Sequence, residues 1–598
     1  MILSLEKGFF FIVLIVYLYY LWKTSPQTLK VGLVICLLFA LRVELVQRKP
    51  LDPSNVHIVK VTSLKEYDQF TSFRGKVNHK SYQFQYSGNH QFSIGEVYEI
   101  SIEELEDNNG DIPYTFDLKK YDKALRINGR YKVLELTKIK NTVHINQLIT
   151  LVDQYMKNSI PQSYGYVKTM ILAENEEIDE SVLEAINDAG ISHLFAVSGL
   201  HIGLLVVMLR KGLGYLLKKD YQSDIALTIF LLFYMFLTSF SPSVVRASMM
   251  VMFILINRYK KLQLDTLDIV SLVFIVLLFV HPYYYLQLGF QLSFLMTFFI
   301  VLARPLLSYD DKIKSAFALS MIAFFASLPF VVSLNQSVNV LTVFYNVIYL
   351  FFVMFLLLPF AYITFVFPIF DDLYYVLITL FEYSVLWIEK IDIFKIDFVM
   401  NKLSYIVVYY ILCIGLLIQI EEKHVRRSWV YVSSVFVLFI LLQGKFVVYS
   451  SVHFVDVYGD ATVIQSSFDR CNILIDTGVS DSYDGLITYM KNKHIKRLDY
   501  VIISHHHDDH HGELEDVLKS FNVINYIDQS NVDKYQDVTR CGDQQFFFYP
   551  LTKGHHNEND NSLVMSMYVG RDHYLFTGDM ETSREKEFIA LYDVKDVD

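Results

Sequence analysis

"VIISHHHDDHHGEL", residues 501–514, runs from a short apolar segment into five histidines and two aspartates at the consecutive positions 505–511. The apolar part reads as a β-strand, which would deliver the polar part as a loop at its end. Within the loop the spacing His505-x-His507-x-Asp509-His510 lets His505 and His507 converge on one ion, and Asp509 with His510 on a second. Imidazole and carboxylate donors suit zinc, manganese or iron. Two ions held close together can activate water and stabilise the charge that develops in phosphoryl displacement. The plain alternative is a histidine-rich loop with casual metal affinity. Against it stand the strand before the loop, "LIDTG" upstream (474–478) and "YLFTGDME" downstream (574–581).

That loop closes a chain of unusual composition. Of 598 residues, 53% are hydrophobic and 15% aromatic, too apolar for a soluble multidomain protein. Apolar runs span Phe9–Trp22 and Val31–Leu41, then recur almost without pause over Val197–Leu442. Runs such as "IALTIFLLFYMFLTSF" (225–240) and "WVYVSSVFVLFILLQ" (429–443) suit helices crossing a hydrocarbon layer that takes roughly 20 residues each. No small-residue cleavage site follows the first run, so Phe9–Trp22 is expected to stay as an anchor. The expected class is a polytopic α-helical membrane protein.

Charge is uneven. Residues 451–598 carry 26 acidic and 13 basic side chains, whereas the rest of the chain is nearly neutral. An acidic tail argues against tight, metal-free nucleic-acid binding there, since phosphate contacts need Lys and Arg. The four cysteines are widely spaced, with no CxxC, and predict neither a cysteine zinc site nor a disulfide framework.

Four parts follow. Residues 1–50 read as two membrane helices joined by "KTSPQTLK". Residues 51–145 carry β-branched and aromatic segments ("VHIVKVTSL", "YQFQYS", "VYEISIEEL") broken by Gly and Asn, consistent with a small β-barrel. Its far end, "FDLKKYDKALRINGRYKVLELTKIK" (116–140), holds eight Lys or Arg with Tyr121 and Tyr131 interleaved. Lys119, Lys120, Tyr121, Lys123, Arg126 and Arg130 are the candidate DNA-binding residues, able to follow a phosphate backbone while an aromatic ring stacks a base. The bland alternative is a solvated face beside a bilayer.

Residues 160–447 form the membrane body. Its apolar runs are interrupted by "SHLFAVSGLHIGLL" (192–205), "SPSVVRASMM" (241–250), "GFQLSF" (289–294) and Asn346. Polar groups at membrane depth are costly and usually face a protein interior or a wet cavity. Small residues there also allow close helix packing. The repeated interruptions favour a path, with His193, Ser198, His201, Arg246, Gln291 and Asn346 as candidate lining residues. From residue 448 to 598 short β-rich segments alternate with helical ones such as "GELEDVLKSF", the pattern of a layered α/β unit.

"LIDTG", the HxHxDH loop and "YLFTGDME" together resemble the metallo-β-lactamase fold, whose bridging carboxylate falls on Asp579. With "SHLFAVSGLHIG", "RAS", "GFQLSF", a barrel between membrane helices, "FDLKKY" after it, and "DNSLV" ahead of "LFTGD", the whole chain resembles the ComEC family of competence proteins. The resemblance implies a cell-membrane channel for uptake of transforming DNA, carrying one strand inward. It implies an OB-like barrel and a metallo-β-lactamase-like tail, both extracytoplasmic. The tail would be a nuclease-like hydrolase for the other strand, with Asp509 and Asp579 catalytic. His505, His507, Asp509, His510 and Asp579 would hold zinc or manganese in a two-ion site. It also implies a DNA receptor and a cytosolic translocation ATPase as partners, and admits a homo-oligomer.

Lys423, Arg426 and Arg427 before the last apolar run put the tail outside by the positive-inside rule, whereas Arg42, Arg48 and Lys49 flank a side that should be external. The chain departs from the family pattern in three places. "DVGQGDA" reads here as "DVYGDA" (456–461), one residue short. Asn559 stands where metallo-β-lactamases often place a histidine, with His555 and His556 nearby. Past "TGD" the family continues to a further histidine motif resembling "HHGS". The tail is therefore expected to be truncated, short of one ligand, with its second ion poorly held and its activity weak or absent. Two alternatives stand beside this reading: a membrane-anchored metallohydrolase of a small or lipidic substrate, and a non-catalytic scaffold. A mere anchor needs neither the basic segment nor the polar intramembrane residues.

Overall fold

A computed structural model describes residues 23–592 except 24, 47–48, 68, 89, 106–111, 114, 116, 218, 308–311, 391–394, 398–399, 401–402, 423, 443–448, 458, 480–484, 536 and 551–556. The first expected anchor, Phe9–Trp22, and the pair His555 and His556 lie outside the described residues. The described chain forms two compact units. One holds the barrel and most of the apolar helices, including Lys119–Asp397, and the other contains Trp429–Asp598 as far as it is described.

In the first unit, strands β1 (His57–Glu66), β2 (Thr71–Val77), β3 (Lys80–Tyr86), β4 (Glu96–Glu104) and β5 (Ile127–Asn141) close a barrel in the order β1-β2-β3-β5-β4. All pairs are antiparallel except β3 with β5. This is the five-stranded Greek-key barrel of the OB type. Period-two alternation decides which side chains point inward: Val59 and Val61, Phe73, Phe84, Ile100 and Ile102, Tyr131 and Val133 are all buried. Phe73 packs on Phe84 and Phe92 with ring centroids 5.3 and 4.6 Å apart.

The same unit holds most of the apolar helices. Five helices among the described residues are long and apolar enough to cross a membrane: Ser192–Leu216, Asp220–Leu237, Ile313–Asn335, Thr342–Val366 and Ser404–Glu421. Their packing inverts that of a soluble bundle. On Asp220–Leu237 the side chains of Ile225, Ile229, Leu232 and Phe233 are exposed while Ser223 and Asp224 are buried. The outer face suits lipid, and Asp224 is ion-paired within by Arg258 and, at 3.6 Å, Arg210. Pro359 lacks an N–H, and the chain absorbs the lost hydrogen bond with a π turn at Val353–Leu357 inside the span Thr342–Val366. Two apolar cores result. Helices between Met156 and Phe195 pack with Tyr345–Val385, and those between Val197 and Phe294 pack together. Strands β6 (Ser337–Asn339) and β7 (Lys395–Asp397) add a small antiparallel pair.

The second unit is a two-sheet α/β sandwich. Strands β8 (Ser451–Phe454), β9 (Thr462–Gln465), β10 (Asn472–Ile475), β11 (Arg497–Ile502) and β12 (Asn522–Ile527) order as β12-β11-β10-β9-β8. Strands β13 (Thr539–Cys541), β14 (Gln544–Phe548), β15 (Met565–Val569) and β16 (Asp572–Phe576) form the second sheet in chain order. β10, β11 and β12 run parallel, joined by crossovers that contain the helices Gly485–Asn492 and Leu514–Ser520. Ile464, Ile473, Phe546, Met565 and Met567 are sealed between the sheets.

The cysteine expectation is corrected here. Cys471 and Cys541 form a disulfide with Cα atoms 5.5 Å apart. Ser466 Oγ accepts from Cys471 N in the β9–β10 turn. Gly542, at φ +63°, follows Cys541, and a Cβ there would come within 2.9 Å of Ser466 Oγ and 3.2 Å of Cys471 Cβ. Glycine lets the two turns meet, and the 70-residue separation hides the pairing from any spacing rule.

Candidate metal centre

The histidine loop begins where β11 ends, beyond the carboxyl ends of parallel strands, the usual place for a site in such sheets. Ile503 N still pairs with Ile527 O of β12. The ladder then stops and Asp476, at the end of β10, takes over: its carboxylate accepts from Ser504 N and Ser504 Oγ, both at 2.7 Å. Asp476 sits in the left-handed region (φ 55°), an uncommon conformation for a residue other than glycine. Its Oδ2 is also 3.0 Å from His510 Nδ1, which fixes that imidazole with Nε2 pointing onward.

On Nε2 of His510 carboxylates converge: Asp579 Oδ2 at 3.3 Å, and Asp509 and Asp460 Oδ2 each at 3.9 Å. His505, fully buried, holds its ring 4.1 Å from that of His510, tilted by 47°, and sets Nε2 3.1 Å from His507 Nδ1. His505, His510 and Asp579 each offer a donor atom, all within 4.8 Å of one another. His507 is partly exposed and pairs with Glu558 at 3.2 Å. The remaining histidines turn away: His506 toward Asp528 at 3.8 Å, and His511 onto the carbonyl of His507 at 2.7 Å.

Electrostatics describe a site made for a cation. Burial opposes a proton on His510, but the hydrogen bond it donates to Asp476 and the charges of Asp476, Asp579 and Asp509 outweigh it and raise its pKa to about 9. Burial lowers that of His505, with the neighbouring His510 acting the same way. Burial raises that of Asp460, and the carboxylates of Asp579, Asp476 and Asp509 add to it. Three imidazoles and several carboxylates that are mutually destabilising without positive charge are the donor set that zinc or manganese takes. The residues fit the metal.

Asp460 and Asp476 are the residues that sequence reasoning did not name as site members, although "DVYGDA" and "LIDTG" were both in view. Gly459 shows why the first motif matters. Its φ is +101°, and a Cβ would stand 2.2 Å from the carbonyl oxygen of Asp509. Asp460 N donates to that oxygen at 3.0 Å, which carries the aspartate to the histidine loop. A cavity of about 260 Å³ opens beside the cluster, walled by Asp460, Asp476 and Ser504 and by Phe454, Phe548 and Phe576.

The other candidate residues fall elsewhere. Lys119, Lys120, Tyr121 and Lys123 are exposed on the helix Leu118–Leu125, in the connection between β4 and β5. Arg130 is held by Asp122, Nη2 to Oδ1 at 2.8 Å, and Arg126 Nη2 donates to the carbonyl of Val280. Tyr131 cannot stack a base: it is buried in the barrel, its hydroxyl accepting from Leu51 N at 2.6 Å. Of the intramembrane candidates, Ser198 and His201 cap one helix beside Arg246. Gln291 donates to Tyr285 O at 2.5 Å. Asn346 is buried beside Tyr345 in the other core, and His193 is exposed.

A membrane-embedded helical body joined to an OB-type barrel and to a metallo-β-lactamase-type tail with a histidine–aspartate cluster defines the class. Residues 170–424 match the family described as "Competence protein", and residues 455–555 the "Metallo-beta-lactamase superfamily". ComE operon protein 3 of Bacillus subtilis (strain 168) is 26% identical over 558 residues, covering 81% of this chain and 70% of that protein. Competence protein ComA of Neisseria gonorrhoeae is 22% identical over 464 residues, covering 72% of this chain and 64% of that protein. The chain thus spans about two thirds of the length of these relatives. The metallo-β-lactamase fold protein YhfI from Bacillus subtilis is 16% identical, covering 22% of this chain and 61% of that one, with a TM-score of 0.16, too low to carry any argument. The chain thus carries a competence-protein domain followed by a metallo-β-lactamase-superfamily domain, and over most of its length is similar to the ComEC family of competence proteins. That similarity supports a role in DNA uptake at the membrane, and the tail's superfamily supports a divalent metal.

Proposed function

We propose that this chain passes one strand of transforming DNA inward across the cell membrane while its tail acts outside as a metal-dependent phosphodiester hydrolase on the other strand. The observation that carries the reading is the convergence of His505, His510 and Asp579, within 4.8 Å, in a chain whose membrane body is of the competence type. The working division is 1–50 for the first helices, 51–145 for the barrel, 160–447 for the channel and 448–598 for the tail.

A divalent ion held by His505, His507, His510 and Asp579, with a second toward Asp509, would supply Lewis-acid stabilisation of phosphoryl charge. The protein's own groups do the rest. Asp476 and Ser504 orient His510 and His505, Glu558 orients His507, and Asp460 adds negative charge that favours a dication. The Cys471–Cys541 bridge supports an extracytoplasmic tail, because disulfides persist in oxidising compartments.

Lys119, Lys120, Tyr121 and Lys123 support DNA contact at the barrel, since the β4–β5 connection is one of the loops with which OB folds take oligonucleotides. Arg126 reaches Val280 O, and Gln287 Nε2 donates to Ala124 O at 2.6 Å, so the end of this connection rests on the helical body. A DNA receptor outside and a translocation ATPase inside complete the proposal. In a transformable host, deleting the gene should abolish transformants and the wild-type chain should restore them. A deletion strain that transforms normally would overturn the reading.

A further inference from the structure

The 13-residue helix Gln147–Ser159 follows the barrel and is too short to cross a membrane. One side of it belongs to a core: Met156 is fully buried, and Ile149 and Val152 pack against the same apolar cluster. A second side is apolar and bare. Leu148, Leu151 and Tyr155 are all exposed, and at about 100° per residue they fall within roughly 60° of one another. Val143 and Ile145, just ahead of the helix, are 88% and 65% exposed. The exposed polar residues Gln154, Lys157 and Asn158 take the remaining arc. Large apolar side chains left bare in such a row exceed the scattered single residues normal on a water-facing surface.

The position of the row indicates what covers it. Tyr155 sets its ring edge-on to Phe365, centroids 5.7 Å apart, and its hydroxyl donates to the Phe365 carbonyl at 3.2 Å. Phe365 lies in the last turn of the span Thr342–Val366, and at that end Val366 and Phe367 are exposed. The bare row on the short helix therefore continues the lipid-suited face of the span. A tyrosine with an apolar ring and a hydrogen-bonded tip at the end of a span is the usual occupant of a membrane–water boundary. From Tyr155 back to Leu148 the row extends only about 10 Å at ~1.5 Å per residue. Its other end is tied to the barrel: Gln147 Nε2 donates to Ile94 O at 2.7 Å, and Asn146 Nδ2 to Thr62 O at 2.9 Å.

We propose that Gln147–Ser159 is an interfacial helix: Leu148, Leu151 and Tyr155, with Val143 and Ile145 ahead of them, enter the headgroup–acyl boundary of the lipid bilayer on the barrel's side. Lipid is the occupant because the row joins a span's exposed end through Tyr155 and Phe365. A helix of this kind is held at the boundary by the apolar area it buries there, while its polar arc stays in the headgroups and water. Since the same helix is hydrogen-bonded to the barrel, it fixes the height of the barrel over the bilayer. The proposal holds whatever the membrane body carries.

The test uses the full chain with Cys36→Ser and Cys413→Ser and the Cys471–Cys541 bridge intact, reconstituted in phosphatidylcholine vesicles. It carries one spin label, at Leu148→Cys, Leu151→Cys or Lys157→Cys in turn. All three positions are exposed, so the labels leave the core untouched. Paramagnetic resonance compares the collisions of each label with oxygen, which concentrates in lipid, and with a water-soluble nickel chelate. Labels at 148 and 151 should meet oxygen freely and be shielded from nickel several-fold relative to the label at 157. Nickel that reaches 148 and 151 as readily as 157 would put the row in water and overturn the proposal. Shielding of 148 and 151 from both reagents would overturn it too, by placing a protein surface such as a second copy of the chain over the row.

Discussion

Asp460 owes its place beside His510 to one glycine. Gly459 takes a φ of +101° and leaves no room for a Cβ against the Asp509 carbonyl. Gly459→Ala should cost roughly 1–3 kcal/mol and shift the histidine loop, since both the dihedral and the contact are violated. Mass-spectrometric metal content of the purified full chain should fall with it. The His505→Ala, His507→Ala double variant should lose zinc or manganese altogether, and unchanged content would remove the site. Of this cluster, the histidine loop was legible because its spacing is local and follows a strand, and Asp579 was named only through the resemblance of its TGD segment to the metallo-β-lactamase motif. Asp460 and Asp476 were not, since they arrive from the β8–β9 loop and the end of β10 through pairings that no sequence spacing reports.

The barrel shows the same division between pattern and partner. Its inward residues follow from period-two alternation, Tyr131 included, so its burial was readable and the expectation of base stacking was the error. That Arg130 would be claimed by Asp122 depends on how the helix Leu118–Leu125 folds back on β5, which composition does not report. Glu96, at the start of β4, gives the barrel a pH dependence. Burial works to raise its carboxyl, but hydrogen bonds from Lys138, Tyr98 and Ser93 prevail and leave it below the ordinary carboxylate value. A depressed folded-state value means stability that is full above the unfolded-state pKa and is lost as pH falls through the folded one. Protection of β4 and β5 amides, corrected for intrinsic exchange, should therefore drop as pH falls below the ordinary glutamate value of about 4.3 in the full chain. Glu96→Gln should flatten that drop and cost about 1 kcal/mol at neutral pH, discounted because Lys138 is half-exposed. An unaltered pH profile in the variant would show that Glu96 is not the sensor.

Across the chain as a whole, a β-barrel, a run of apolar helices and an α/β tail were legible because composition changes with each. The disulfide was not, because it joins turns of two different sheets. Closing a 70-residue loop, the bridge should contribute about 4 kcal/mol to the tail's stability, read as an earlier denaturant midpoint for its proteolysis after reduction. It also reports orientation. In a Cys36→Ser, Cys413→Ser chain on intact cells, a membrane-impermeant maleimide should label the tail only after a membrane-impermeant reductant is added. Labelling that requires cell lysis would place the tail inside.

The most direct measurement follows both strands of one DNA. A duplex carrying a different isotope on each strand is given to cells with the wild-type chain and to cells with the His505→Ala, His507→Ala variant. With the wild type, one label should enter the cell and the other should appear outside as acid-soluble nucleotides. In the variant, the release should fall to the level of cells lacking the chain. Entry of both labels in equal amount, or release indifferent to the two histidines, would contradict the account.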